Sequence, residues 1–129
     1  MTSSPLVLIV EDSKTQAEQL AAQLAEHGLE VVVAGDGPEG LRAVDQYCPN
    51  LIVLDINLPT MDGFQICRRL KRDPNTANIP VIMLTSRENF ESMMEGLETG
   101  ADDYIPKDTY ACRNLLSSMR AFGVLTDGG

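Results

Sequence analysis

Five short apolar runs punctuate the chain, and each is followed by residues at helical spacing. Leu6–Val10 is continuously apolar and of strand length, as expected of a strand covered on both faces. Ser13 opens a helix, and Gln16 three residues on completes the spacing of a capping box. Ala17, Leu20, Ala21 and Leu24 share one face of that helix, and Gly28 marks its end. Residues 30–34 predict a second strand and Gly35-Asp36-Gly37 a turn. Pro38 suits the first position of a second helix, which runs to Tyr47 and carries Leu41 and Val44 inward. Pro49 intervenes before a third strand, 51–55. A loop of turn formers, 57–63, precedes a third helix marked by Phe64, Cys67 and Leu70 and closed near Pro74. Residues 80–85 predict a fourth strand, and 89–99 a fourth helix with Gly100 beyond its end. Residues 103–106 predict a short edge strand, where Pro106 is tolerated. A fifth helix over 110–122 offers Leu115, Leu116, Met119 and Phe122 for packing.

Such alternation predicts an α/β fold, a parallel sheet with helices on both faces. Right-handed crossovers bring all the strand ends to one rim, where open sheets of this kind hold their ligands. One domain is expected over 6–122, with tails at 1–5 and 123–129, since 129 residues are too few for two ordinary domains. The formal net charge of −9 argues against direct nucleic acid binding and against attraction to an anionic membrane. No apolar run reaches membrane-spanning length and no signal-peptide pattern opens the chain, so it reads as cytoplasmic. Cys48, Cys67 and Cys112 form no CxxC pair and read as buried free thiols.

The chemistry lies where the apolar runs stop. Glu11 and Asp12 follow the first run, Asp55 ends the third, Thr85 the fourth, and Lys107 follows the fifth. Parallel strands place all five on one edge. Three carboxylates beside one ammonium repel one another unless a cation joins them, and a divalent ion balances the charge left over. All-oxygen ligation suits Mg²⁺, with Mn²⁺ as an alternative. A carboxylate beside such an ion and a lysine can attack phosphorus, while the two cations stabilise charge on the transferring oxygens. Thr85 is placed to donate a hydrogen bond to one of those oxygens. The expected product is an acyl phosphate on Asp55.

Four motifs in order, Glu11-Asp12, the stretch from Leu54 to Gly63, Met83-Leu84-Thr85-Ser86, and the stretch from Gly100 to Lys107, make the chain resemble the receiver domain of two-component response regulators. The resemblance covers residues 5–122. It implies a flavodoxin-like three-layer sandwich, with a five-stranded parallel sheet of order 2-1-3-4-5 and five helices. It implies that Asp55 accepts a phosphoryl group from a sensor histidine kinase or a phosphotransfer protein. Glu11, Asp12, Asp55 and the backbone carbonyl of Asn57 are then the Mg²⁺ ligands, and Lys107 binds the phosphoryl oxygens. Thr85 and Tyr104 become the switch pair, and Asn57 and Arg87 the positions that tune acyl-phosphate lifetime. The fourth helix, fifth strand and fifth helix become the output surface toward an output protein not named by the sequence, with dimerisation on activation left open.

One departure stands out: Asp108 follows Lys107 where the family commonly has a proline after a cis bond. A cis bond before a non-proline residue costs roughly 3–4 kcal/mol, so a trans bond is expected here. Asp108 is then available to cap the fifth helix or to draw Lys107 from the pocket. Two rival readings are a receiver fold that binds a partner without turnover, and a phosphatase of small substrates. The first is disfavoured by the complete acidic pocket. The second lacks a general acid, because Asn57 stands two residues after Asp55. The chain fits both a free-standing regulator and a receiver cut from a longer protein.

Overall fold

A computed structural model describes residues 4–86 and 100–125. The elements in chain order are β1 (Leu6–Val10), α1 (Lys14–Ala25), β2 (Glu30–Ala34), α2 (Gly37–Tyr47), β3 (Leu51–Asp55), α3 (Gly63–Arg72), β4 (Val81–Thr85), β5 (Asp103–Pro106) and α4 (Ala111–Ala121). The five strands form one parallel sheet of order β2-β1-β3-β4-β5. This is the expected order, with the proline-bearing strand at an edge. The helix expected over 89–99 and the position Arg87 lie outside the described residues.

The alternation of side chains along each strand splits the core in two. Leu8, Val10, Ile52, Leu54, Val81 and Met83 face α2 and α3, meeting Ala43, Val44, Ile66, Cys67 and Leu70. Val7, Ile9, Leu51, Val53, Ile82, Leu84 and Ile105 face α1 and α4, meeting Leu24, Leu115, Leu116 and Met119. β3 and β4 are buried along their whole length. Each fully buried aliphatic side chain contributes roughly 1.5–3 kcal/mol, which explains why the central strands read as unbroken apolar runs.

Several local expectations change. Phe122 is 38% exposed and lies past the end of α4. Cys48 is exposed, because it ends α2 in a left-handed conformation (φ 48°) that turns the chain toward Pro49. Cys67 is buried and Cys112 half-buried, all three as free thiols. Gly28, at φ 83°, ends α1 as expected. The capping box appears on α3 instead of α1. Asp62 Oδ1 accepts from the Gln65 N–H (2.9 Å) and Gln65 Oε1 accepts from the Asp62 N–H (3.1 Å). On α1 only half forms, the Gln16 N–H donating to Ser13 Oγ at 3.3 Å.

Two adjacent acids anchor the start of β5. Asp102 Oδ2 accepts from Lys71 Nζ (2.7 Å) and from the Val81 N–H (2.8 Å), while Lys71 also donates to the carbonyls of Ala77 and Ile79. Asp103 Oδ2 accepts from Ser118 Oγ on α4 (2.7 Å), and its Oδ1 from the Tyr104 N–H (2.8 Å).

Gly63, at the start of α3, packs directly beneath the end of β3. A Cβ there meets the Asp55 carbonyl oxygen at 2.6 Å, Ile56 Cα at 2.9 Å and Met83 Cε at 3.0 Å. The two nearest neighbours are backbone atoms and cannot give way cheaply. Gly63→Ala is therefore predicted to destabilise the fold by about 2 kcal/mol. Urea unfolding measures this, and an unchanged midpoint with an unchanged slope refutes it.

Candidate phosphoryl-transfer site

Strand register gathers the site. Val10 pairs with Leu54, so Glu11 and Asp55 leave neighbouring strands side by side. Asp55 pairs with Leu84, and Thr85 with Pro106, which brings Lys107 to the same rim. The ladder continues past the strands, through Glu11 N–H to the Ala34 carbonyl (3.0 Å) and Lys107 N–H to the Thr85 carbonyl (2.7 Å). Alternation puts Glu11, Asp55 and Lys107 on the α1/α4 side, continuing the faces of Ile9, Val53 and Ile105.

Lys107 Nζ donates to Glu11 Oε2 (2.6 Å), Asp55 Oδ2 (2.7 Å) and Gln16 Oε1 (3.1 Å). These are all three donors of an ammonium group. The remaining carboxylate oxygens are also engaged. Glu11 Oε1 accepts from the Ser13 N–H (3.1 Å) and Asp55 Oδ1 from the Asn57 N–H (3.0 Å). Glu11 and Asp55 are buried, whereas Asp12 is exposed. One carboxylate oxygen from each of the three lies within 4.8 Å of the other two. The donor set, all oxygen and all carboxylate, fits a hard divalent cation. A cleft of about 580 Å³ opens beside Asp12 and Asn57, and one of about 880 Å³ lies beyond Gln16 and Lys107, between α1 and α4.

Burial pushes the Glu11 carboxyl up from its ordinary 4.5 to about 6; the Lys107 bond opposes this and Asp55 adds to it. Burial alone lowers the Lys107 pKa, but its bonds to Asp55 and Glu11 and their charges outweigh that, so it ends above its ordinary value. The ammonium is thus retained at neutral pH.

Thr85 is fully buried, and its hydroxyl donates to the Ser86 carbonyl (3.3 Å), not to a carboxylate. Tyr104 is half-buried against the α2/α3 side of the core, on the opposite face from Lys107. No cis peptide is present among the described residues, so the Lys107–Asp108 bond is trans as expected. Asp108 takes neither expected role. Its Oδ1 accepts from the Tyr110 N–H (2.8 Å) and its carbonyl from the Ala111 N–H (3.1 Å), a turn ahead of α4. α4 itself starts after Tyr110 with no side-chain cap, and Lys107 is held inward by charged partners. Gln16 was expected only as a helix-capping residue. Its side chain goes to the ammonium because a charged donor outcompetes a backbone N–H.

Residues 7–120 match the family model described as the response regulator receiver domain. The chain belongs to the response regulator receiver family. RegX3 of Mycobacterium tuberculosis, a sensory transduction protein, is 41% identical over 123 residues, covering 95% of this chain and 52% of that protein. The DNA-binding transcriptional regulator RpaA of Synechocystis is 38% identical over 123 residues, covering 95% of this chain and 51% of RpaA. The chain thus spans about half the length of these relatives. A solved signal receiver domain of a histidine kinase from Syntrophus aciditrophicus superposes with a TM-score of 0.83 at 39% identity, covering 92% of this chain and 89% of that one. Receiver domains are the phosphoaccepting switches of two-component systems, generally bind Mg²⁺ through acidic residues, and work with histidine kinases. Among the described residues no helix is long and apolar enough to cross a membrane.

The raised Glu11 pKa gives a signed prediction for the metal-free receiver. The fold favours protonated Glu11, so its contribution is complete below pH 4.5 and is lost as pH rises through about 6. Wild type should therefore lose stability relative to Glu11→Gln across that window, by about 2 kcal/mol. Paired denaturant titrations at several pH values measure it; a difference that stays flat, or runs the other way, contradicts the assignment.

Proposed function

We propose that this receiver, a unit spanning residues 6–122, takes a phosphoryl group on Asp55 in a Mg²⁺-dependent reaction. The donor is a sensor histidine kinase or a phosphotransfer protein, which places the chain in the cytoplasm. The carrying observation is the position of Asp55. It is a buried strand-end carboxylate 2.7 Å from the Lys107 ammonium and grouped with Glu11 and Asp12.

Glu11, Asp12, Asp55 and the backbone carbonyl of Asn57 would hold Mg²⁺, or Mn²⁺ in its place. When bound, the ion would neutralise charge on the phosphoryl oxygens. An Asp55 oxygen attacks phosphorus, and the bond from phosphorus to the donor nitrogen breaks, leaving the donor imidazole to take a proton. Lys107 exchanges its Asp55 carboxylate contact for a phosphoryl oxygen. Thr85 leaves the Ser86 carbonyl to donate to another phosphoryl oxygen, and Tyr104 follows into the space vacated. The surface of segment 89–99, β5 and α4 then changes for an output protein or domain. Asn57 and Arg87 set how long the acyl phosphate survives. The chain acts as a signalling switch whose only chemistry is on itself.

Intact-mass measurement with a small phosphodonor and Mg²⁺ should show one added phosphoryl group on wild type and none on Asp55→Ala. Chelation of the metal should abolish labelling, and Lys107→Met should slow it at least tenfold, by roughly the loss of one transition-state donor. Equal labelling of wild type and Asp55→Ala would falsify the proposal. Separately, Asp12→Ala should weaken Mg²⁺ binding by about tenfold or more in calorimetry, given what even supporting contacts to a metal are worth. Unchanged binding removes Asp12 from the ligand set.

A further inference from the structure

Lys107 has three acceptors, and two of them belong to the acid trio. During phosphoryl transfer at Asp55 those two are in demand elsewhere. Asp55 becomes an acyl phosphate, and Glu11 would serve as a ligand of the divalent cation. Gln16 is the acceptor of a different kind. Its Oε1, 3.1 Å from Nζ, is neutral, and it comes from α1 instead of a strand end. A neutral amide oxygen competes poorly with carboxylates for Mg²⁺ and does not repel an incoming phosphoryl group. Its backbone is fixed in the first turn of α1, where the Ser13 side chain accepts its N–H and the Ser13 carbonyl accepts that of Ala17 at 2.9 Å. Gln16 borders the 880 Å³ cleft between α1 and α4 together with Glu11 and Lys107, whereas Asp12 borders the other cleft. The glutamine holds the ammonium from a helix and carries no charge of its own.

Given phosphoacceptor chemistry at Asp55, on which this rests, we infer that Gln16 is a positioning residue. It tethers the Lys107 ammonium over Asp55 while Glu11 and Asp55 change partners. Without it the lysine must be re-placed at each turnover, losing part of the orientation on which phosphoryl transfer depends. Gln16 does not touch phosphorus; it acts through Lys107.

The test uses the full chain with Gln16→Met, which keeps length and helix propensity but loses the amide oxygen, and Gln16→Glu, which restores an oxygen at the same reach. Gln16 is exposed, so both variants should melt like wild type. The maximal rate of labelling by a small phosphodonor with Mg²⁺ should fall roughly fivefold in Gln16→Met, about the worth of one hydrogen bond to a charged group in a solvent-accessible position. In Gln16→Met the half-saturating phosphodonor concentration and the Mg²⁺ affinity should stay unchanged, whereas Gln16→Glu, whose charge repels the incoming phosphoryl group, should not recover the rate. In metal-free protein the ¹⁵N ammonium resonance of Lys107 should be visible in wild type and Gln16→Glu and be lost to exchange in Gln16→Met. A wild-type labelling rate in Gln16→Met, or an ammonium resonance that persists in Gln16→Met or is missing in Gln16→Glu, overturns the inference. A wild type that takes no phosphoryl group defeats the phosphoacceptor reading instead. The ammonium resonance, recorded without phosphodonor, then still decides whether Gln16 holds Lys107.

Discussion

Two carboxylates are buried side by side at the end of a sheet, and one ammonium makes that arrangement tolerable. Glu11 and Asp55 each give Lys107 an oxygen at 2.6–2.7 Å. Uncompensated charge in such a place costs several kcal/mol. Burial nevertheless leaves Glu11 with a raised pKa, so one ammonium does not fully offset the removal of two carboxylates from water. A hydrophobic replacement of the pair would relieve that cost, and on the proposed chemistry it would also remove the phosphoacceptor.

The rest of the fold serves this placement. A one-residue slip of β1, β3 or β4 would exchange side chains between the two core layers, which pack against different helices, and this fixes their register. With β5 paired to β4, that register brings Glu11, Asp55 and Lys107 out together. α1 contributes Gln16 because its first turn begins two residues beyond Asp12. α3 begins where Gly63 allows the chain to pass beneath Asp55, whose carbonyl leaves no room for a side chain.

Most of this was legible in the sequence for identifiable reasons. Continuous apolar runs ending in Glu11, Asp55 and Thr85 marked buried parallel strands and their rim together, and the motif order supplied the strand order. What escaped was decided by competition between partners that are distant along the chain. Gln16 has the spacing of a capping residue, and nothing local reveals that Lys107, ninety-one positions away, claims its side chain. Asp108 has the composition of a cap, but its short side chain is satisfied two residues on. Asp62 and Gln65 carried a capping-box spacing that the turn-rich loop around them obscured. Cys48 read as a buried thiol because its left-handed backbone is set by the demand to end α2 before Pro49, which no residue preference announces.

The adjacent acids Asp102 and Asp103 give β5 an unequal mechanical character. One is bolted to Lys71 and Val81, the other to Ser118, so the amino end of this four-residue edge strand is fastened to both layers of the sandwich. Its far end joins the ladder through the Lys107 N–H and holds the Lys107 ammonium by its contacts to Glu11, Asp55 and Gln16. Under the proposed phosphoryl chemistry only that far end loses partners, so the strand is moored at one end and releasable at the other.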